Sequence, residues 1–408
     1  MDRQDVRKRI LQAVDGLEGE LRALSDYLWD NPEVAYQEVK ASARVAEVME
    51  AHGFKVERGA AGLPTALRAE WSGGAPKDSA AALSAAGTGR PSIAFLAEYD
   101  SLPGLGHACG HNLIAAMSVG AALACQQAGL PARILLFGTP AEEAGGGKVA
   151  MTDAGLFDGL DAAMMVHPST YSTCGRGSLA MRGFKLKYYG KPAHASGRPD
   201  QGINALEAAV QTYVSINGLR QHLPTDVRIH GIFSHGGAAP NIVPEYAELF
   251  YYVRAATLPA LELAYSRALA CARGAAEATG TRLEVEAQST YRERVESPQL
   301  IGAFLENVHG LGVATVDPDS IKGVGSSDIG NVSHAAPTIH AYLKIVDGDK
   351  APSHSHAFTE AAGSEEAARV MLIGTKALAL TAVDVVMKPG LREEIRAEFA
   401  ARRAGRRG

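Results

Sequence analysis

The chain is poor in the features that mark several classes of protein. It has four cysteines in 408 residues and a formal net charge of only −5. The cysteines show no regular scaffold spacing, so we expect no disulfide. The small net charge gives no reason to expect a nucleic-acid partner. We see no continuous apolar run near the roughly 18 residues that span a bilayer, and no signal peptide, so we expect a cytoplasmic protein without a membrane partner.

The most informative segment is residues 106–112, GHACGHN, in which Cys109 and His111 stand two positions apart between glycines. Thiolate and imidazole are ligands for zinc and for neighbouring first-row metals. Further candidates follow at Glu142 and Glu143, at His167, and in the SHSH segment at residues 353–356. Each one alone is a weak signal, because a lone cysteine or histidine is more often a packed core residue.

The positions of these candidates strengthen the signal. Three apolar, strand-like runs end before residues of metal-binding type: residues 92–97 before Glu98, Tyr99 and Asp100, residues 133–138 before the glutamate pair, and residues 162–166 before His167. In open α/β sheets, ligands and chemistry gather at the carboxyl ends of the strands. The pattern therefore predicts a metal site at one edge of a mainly parallel sheet.

The segment AEYDSLPGLGHACGHN, residues 97–112, resembles the aminoacylase and carboxypeptidase-like family of dinuclear metallopeptidases and amidohydrolases. Within that family it is similar to the amidohydrolase branch of aminobenzoyl-glutamate hydrolases, N-acyl amino acid hydrolases and related dipeptidases. The resemblance continues through PAEE at 140–143, PAHAS at 192–196, GGAAPNIVP at 236–244 and SSDIGN at 326–331. It thus extends over nearly the whole chain.

The resemblance implies two divalent ions per chain, zinc or manganese, and a homodimer. The implied metal ligands are Cys109, His111, Glu143, His167 and His354. Cys109 would bridge the ions, with His111 and His167 completing one and Glu143 and His354 the other. We choose His354 over His356 because it precedes Phe358 by four residues, as in the family's His-x-x-x-Phe segments.

The remaining site residues divide into catalytic and substrate-binding candidates. Amide hydrolysis needs a base for the attacking water and an acid for the leaving amine, and we assign both roles to Glu142. Asp100 is expected to orient a ligand imidazole. The resemblance places His194 beside the oxyanion in the partner subunit's site, and a surface histidine in a turn is the alternative. The substrate-binding candidates are Asn241, Arg254 and Ser327. Arg254 could instead form a structural ion pair, and Ser327 could simply pack its loop.

The length favours two domains. We predict an α/β catalytic domain with a mainly parallel sheet and helices on both faces, formed by residues 1–181 and 293–408. Between them, residues 182–292 show a βαββαβ order, which indicates a ferredoxin-like α+β domain, and the resemblance implies that it is a lid and dimerisation domain. We expect a last helix over residues 361–380 and a frayed basic tail at 402–407.

The function predicted from these observations is that of a metal-dependent amidohydrolase. Its substrate would be a small amide such as an N-acyl or N-aroyl amino acid, of the aminobenzoyl-glutamate type, or a dipeptide. One alternative is an aminohydrolase that releases ammonia from an aromatic amine at the same site. Another, of a different class, is a non-catalytic metal-binding or assembly protein, although binding alone needs no base such as Glu142. A Cys109 nucleophile is disfavoured, because neighbours in one loop rarely reach attack geometry.

Overall fold

The computed structural model describes residues 2–72 and 89–405. The chain forms two compact units, unit 1 from Met1–Gly177 and Arg294–Gly408, and unit 2 from Ser178–Glu293. The boundaries expected from the sequence, residues 182 and 292, both fall inside unit 2. Unit 2 is therefore inserted into the sequence of unit 1.

Unit 1 is built on a six-stranded mixed sheet. Numbered along the whole chain, its strands are β1 (Lys55–Arg58), β2 (Leu67–Trp71), β3 (Ser92–Glu98), β4 (Arg133–Thr139), β5 (Ala162–Ser169) and β10 (Thr338–Lys344). The strand order is β1-β2-β4-β3-β5-β10. Strands β4, β3, β5 and β10 are parallel neighbours, while β2 and β1 add an antiparallel edge. The predicted mainly parallel sheet is confirmed.

Helices cover both faces of this sheet. The larger core lies under α1 (Arg3–Asp30), α2 (Val39–Ala51), α3 (His111–Gln127), α7 (Pro298–Gly310), α9 (His356–Ala362), α10 (Glu365–Met387) and α11 (Leu391–Gly405). The smaller core lies under α4 (Gly147–Asp153) and α8 (Ile329–Ala335). Strand β3 shows the division clearly, since Ile93 and Phe95 join the larger core and Ala94 and Leu96 the smaller one. Because successive side chains of a strand point to opposite faces, an all-apolar strand must be covered twice.

Two expectations about the C-terminal part of the chain were wrong. The predicted helix over residues 361–380 is two helices, α9 and α10. The expected frayed tail is helical as far as Gly405, and Arg402 bonds there to Glu398 and to the Val295 carbonyl. Helix α10 is also long and apolar enough to cross a membrane by length and composition, although charged residues such as Lys376 interrupt its apolar run. Its most apolar window is 72% buried in unit 1, which is typical of a core helix.

Unit 2 has the predicted βαββαβ order. Its elements are β6 (Ala180–Tyr189), α5 (Ala205–Leu219), β7 (Arg228–His235), β8 (Tyr246–Ala255), α6 (Leu258–Thr279) and β9 (Arg282–Tyr291). The four strands form an antiparallel sheet in the order β7-β8-β6-β9. Small side chains of both helices pack on the buried side of β6 and β8. This is the ferredoxin-like arrangement expected from the sequence.

Candidate active site

The loop that carries Cys109 is fitted closely to the end of β5. Helix α3 starts at His111, and the residue before it, Gly110, has a φ of +74°. A Cβ atom at Gly110 would lie 2.5 Å from Cγ of Pro168. Only glycine satisfies both the left-handed backbone and this close approach. The contact brings the loop next to His167, which immediately precedes Pro168 in β5.

Two clusters of potential metal ligands share Cys109. In the first, Cys109 Sγ and one ring nitrogen each of His111 and His167 lie within 4.8 Å of one another. In the second, Cys109 Sγ, a Glu143 carboxylate oxygen and a ring nitrogen of His354 meet the same limit. The structure therefore brings together the five ligands expected from the sequence. The alternative ligand His356 is the first residue of α9 and belongs to no such cluster in the described part of the chain.

The chemistry of these side chains fits a divalent metal ion. Within residues 2–72 and 89–405, His111 Nε2 and Glu143 Oε1 are buried atoms without a hydrogen-bond partner. Buried polar atoms are normally paired, so these two atoms are suited to binding a cation. Burial and the neighbouring Glu143 raise the pKa of the Cys109 thiol well above its usual value. A nucleophilic cysteine needs the opposite shift, whereas a metal ion can displace the thiol proton on binding.

Asp100 connects the two ligand clusters. Its Oδ1 lies 3.0 Å from Nδ1 of His111, and its Oδ2 accepts a 3.0 Å bond from the Glu143 amide. Burial opposes ionisation of Asp100, but attraction to His111 and these bonds lower its pKa overall. A charged Asp100 holds one His111 proton on Nδ1, so Nε2 is the ring nitrogen that a metal ion would take, displacing the proton there. This is the geometry that the predicted orienting role requires.

His167 is held in a similar way by its own backbone. Its Nδ1 lies 2.6 Å from the Pro168 carbonyl oxygen, which places the ring proton on Nδ1. Burial and the nearby positive charge of His111 lower the pKa of His167 to about 4. The ring is therefore neutral at physiological pH, and neutral imidazole is the form that binds metal.

Two strained residues lie beside the ligands. Ala141 and His354 have φ values of +59° and +63°, which non-glycine residues rarely adopt. The Ala141 amide donates a 2.9 Å bond to the buried carboxylate of Glu38, and the His354 amide donates a 3.1 Å bond to the Ala108 carbonyl. Such strain persists only where surrounding contacts impose it, and it is concentrated at functional sites.

Glu142 has the properties of an acid–base group. Burial, followed by the charges of Glu98 and Glu143, raises its pKa well above the usual carboxyl value. A raised carboxyl pKa brings proton uptake and release nearer to neutral pH, as general acid–base catalysis requires. One Glu142 oxygen lies within 4.8 Å of oxygens of Glu98 and Asp328.

Several polar groups of the site went unnoticed in the sequence. Lys148 is completely buried between Glu98 and Asp328. Glu98 had a detectable signal, because it directly ends a predicted strand. Lys148 had none, because its charge partners are far away in sequence. Arg294, with His340 and Tyr342 of β10, forms a further buried cluster near His167, and sequence analysis overlooked that strand altogether.

The predicted substrate-binding residue Ser327 lies in unit 1 and is only 9% exposed. Its Oγ is buried, and no hydrogen-bond partner exists for it in the part of the chain that the structure describes. It directly precedes Asp328, which occupies the N-cap position of α8 and whose carboxylate contacts Lys148. Ser327 therefore belongs to the buried surroundings of Glu142.

In unit 2, the structure brings His194 and Asn241 together. The Ala195 amide donates to the Asn241 carbonyl at 3.0 Å, and His194 pairs with Ile242 in an antiparallel bridge. Nδ1 of the exposed His194 accepts a 3.1 Å bond from the Gly197 amide. The proton of the neutral ring is therefore on Nε2, which is free to act as a donor.

Arg254 lies at the other end of the unit 2 sheet. It stands in β8, eight positions after Tyr246. The segments 192–196 and 241–243, which pair with each other, lie near the Tyr246 end of the strand. At about 3.3 Å per residue, it is roughly 26 Å along the strand from that end. Its guanidinium lies 6.0 Å from the Tyr252 ring centroid, and burial lowers its pKa. Within one chain, Arg254 is thus distant from His194 and Asn241.

A parallel sheet with metal-type ligands and a buried carboxyl at its carboxyl edge defines a hydrolase-type metal site. Comparison with known proteins identifies the family. Residues 94–380 match the model of Peptidase family M20/M25/M40, and the chain belongs to this family of hydrolases that act on peptide and amide bonds.

Individual relatives agree with this assignment. The chain is 41% identical to the Xaa-Arg dipeptidase of Mus musculus, over 97% of this chain and 92% of that protein. It is 31% identical to a p-aminobenzoyl-glutamate hydrolase polypeptide of Escherichia coli (strain K12), over 69% of this chain and 60% of that protein. The aminobenzoyl-glutamate utilization protein of Klebsiella pneumoniae shares the fold, with a TM-score of 0.72, 20% identity and coverage of 92% and 98% of the two chains.

Proposed function

We propose that this protein is a dinuclear metal-dependent dipeptidase, and that its substrates are small dipeptides with a free carboxylate and a basic C-terminal residue. The observation that carries the hydrolytic mechanism is the sharing of Cys109 by two ligand clusters beside the buried carboxyl of Glu142. The substrate class is supported by the 41% identity to an Xaa-Arg dipeptidase over 97% of the chain.

The ligand roles follow from the two clusters. His111 and His167 would hold one ion, Glu143 and His354 the other, and the Cys109 thiolate would bridge them. Zinc and manganese both suit this donor set. When bound, the metal supplies Lewis-acid chemistry and a more acidic water. Asp100 acts through its contacts with His111 and the Glu143 amide, and it is a positioning residue.

Glu142 moves the protons. Its carboxylate takes a proton from the attacking water and then gives that proton to the leaving amine. The raised pKa suits both steps, because the group must be basic enough to accept a proton and acidic enough to release it. We assign Glu143, which belongs to a cluster with Cys109, as the metal ligand and Glu142 as the base, although an oxygen of each lies within 4.8 Å of a ring nitrogen of His111.

The unit 2 residues would bind the substrate across a homodimer. His194 Nε2 would donate to the developing oxyanion, with Asn241 beside it, and Arg254 would bind the substrate carboxylate with its planar pair of donors. If all three contact one substrate, a second copy is needed, because Arg254 and the other two lie at opposite ends of the unit 2 sheet. A two-fold symmetric dimer can bring opposite ends of two copies together.

The exposed side of unit 2 supports such a dimer. Val214 of α5 and Ile232 of the edge strand β7 are each 61% exposed. Tyr213 of α5 packs against Phe233 of β7, with ring centroids 5.6 Å apart. An edge strand with exposed apolar neighbours is a typical surface for pairing with another chain.

A second candidate substrate is an aminobenzoyl-glutamate-type amide, which the 31% identity to the E. coli p-aminobenzoyl-glutamate hydrolase polypeptide favours. The two candidates differ in the charge of the C-terminal residue. They share the mechanism, so only a substrate comparison separates them.

Metal content and substrate specificity test the proposal together. We expect about two ions per chain by elemental analysis, and faster hydrolysis of alanyl-arginine than of alanyl-glutamate or aminobenzoyl-glutamate. Preference for aminobenzoyl-glutamate would favour the second candidate. Bound metal without turnover of any carboxylate-bearing amide would favour the aminohydrolase. The Arg254→Ala variant separates the amidohydrolase from the aminohydrolase, because only a substrate with a carboxylate needs the Arg254 side chain. Bound metal without any turnover would indicate the non-catalytic role, and absence of bound metal would exclude the mechanism.

A further inference from the structure

Lys148 is a buried cation with an unusually complete set of charge partners. The residue is 0% exposed, and its Nζ lies 2.6 Å from Oε1 of Glu98 and 2.7 Å from Oδ1 of Asp328. Its amide also donates a 2.9 Å bond to Oδ2 of Asp328. Removing a lysine from water is costly, so a buried ammonium persists only where opposite charges surround it.

The surrounding carboxylates form a cage. Oxygens of Glu98, Glu142 and Asp328 lie within 4.8 Å of one another, and these three residues are called the carboxylate cage below. Oxygen ligands at this spacing are the kind that hard divalent cations bind. Three like charges so close repel each other unless a cation lies among them. The Lys148 ammonium is that cation, and it is covalently attached to α4.

The cage is in contact with the metal-type cluster. Oε2 of Glu98 lies 3.4 Å from Nε2 of His111, while Oε1 of the same carboxylate contacts Lys148. Glu142 belongs to the cage and also lies next to Glu143 in sequence. Any shift of the cage therefore moves the group that we assign as the base.

We propose that the Lys148 ammonium is the resident cation of the carboxylate cage, where it keeps divalent metal out and holds Glu142 in position for the reaction. Lys148 is then a positioning residue, because it acts through Glu98, Asp328 and Glu142. The part that concerns Glu142 rests on the proposed function, whereas the exclusion of metal from the cage does not.

The test compares Lys148→Met with wild type and with Lys376→Met. Methionine is unbranched and nearly as long as lysine, but it carries no charge. Lys376 belongs to the same unit and pairs with a single carboxylate, Asp15, at 2.6 Å, so it controls for loss of an ordinary lysine ion pair. Each protein is saturated with Mn²⁺, freed of unbound metal by gel filtration, and assayed for metal per chain, melting temperature, kcat and KM.

We expect Lys148→Met to bind about one ion per chain more than wild type, because three carboxylates without the ammonium offer oxygen ligands to a divalent cation. Its kcat should fall about 10- to 100-fold with little change in KM, because the base is displaced while substrate contacts remain. Lys376→Met should match wild type in metal content and kcat. A purely structural ion pair would lower the melting temperature without raising the metal content.

Each outcome decides the proposal. A folded Lys148→Met protein with the metal content of wild type overturns it. If the variant folds only with excess Mn²⁺, the ion has replaced the ammonium, and this outcome supports the proposal. If the variant stays unfolded with any amount of Mn²⁺, the proposal is wrong. The test measures how many more metal ions per chain the variant binds than wild type does. Wild type without metal would therefore contradict the proposed function while leaving the test of the cage intact.

Discussion

Substitution of Glu142 by glutamine separates catalysis from stability at one position. Glutamine has nearly the same size but cannot accept the proton of the attacking water. General acid–base groups contribute about 10²- to 10⁴-fold to rate. At about 1.4 kcal/mol per factor of ten, this raises the barrier by roughly 3–5 kcal/mol. We therefore expect kcat to fall by about 10²- to 10⁴-fold, with KM nearly unchanged.

The same substitution should stabilise the metal-free protein. Burial and neighbouring carboxylates raise the pKa of Glu142 in the folded state. A group with a raised folded pKa loses its stabilising contribution as the pH rises from its unfolded pKa through its folded pKa. At neutral pH, a neutral glutamine avoids that loss, so Glu142→Gln should melt at a higher temperature than wild type in chelator. The difference should disappear at a pH below the unfolded carboxyl pKa, about 4.3.

Elemental analysis, steady-state kinetics and thermal melts measure these effects. Glu143→Gln is the matched control. It makes the same change in the next residue, which lies in one metal-ligand cluster with Cys109 and His354. It should lose metal, whereas Glu142→Gln should retain it. The reasoning fails if Glu142→Gln keeps kcat within tenfold of wild type, or if it loses metal as Glu143→Gln does.

Three further predictions concern other parts of the molecule. Asp100→Asn should weaken metal binding about 10- to 100-fold, because an amide cannot accept both the His111 and the Glu143 bonds; chelator competition measures this, and unchanged affinity would contradict the orienting role. Gly110→Ala should destabilise the fold by about 1–3 kcal/mol and so lower the melting temperature, because Gly110 has a positive φ and a Cβ there would approach Pro168 to 2.5 Å. Gly274→Ala, where a Cβ would meet open space, should leave the melting temperature unchanged. Val214→Asp should convert the proposed dimer to a monomer, as measured by light scattering, and should reduce turnover while the metal content stays constant. A monomer that is active would exclude a site shared between two copies.

Part of the fold could be predicted because it depends on local patterns. Helix α6, Leu258–Thr279, and helix α5, whose start Asn204 caps, are two examples. Both segments have apolar residues at helical spacing and a clear start signal. The break between α9 and α10 was missed. Gly363 and Ser364 were included in one helix, although Ser364 accepts the Ala367 amide as an N-cap.

The metal-type residues could be found for a different reason. Glu143 and His167 closely follow strand-like runs, Cys109 lies in the segment that joins another such run to α3, and parallel strands end at the same edge of a sheet. Short loops after such strands leave their side chains few other places to lie. Of the unit 2 candidates, His194 was assigned by resemblance and Asn241 and Arg254 by their residue types, and the sequence alone did not indicate that Arg254 is distant from Asn241 along β8.

The sequence by itself therefore determined many of the elements, the two-unit organisation and the set of side chains able to bind metal, because each depends on short-range spacing or on strand ends. Only the tertiary structure decided which charges meet. Lys148, Glu98 and Asp328 are scattered over more than two hundred positions, yet oxygens of both carboxylates lie within hydrogen-bonding distance of the Lys148 Nζ. Ionic contacts act through space and leave no periodicity in the chain. Burial also decides the chemistry of these groups, since the same glutamate has an ordinary pKa in water and a raised one at Glu142.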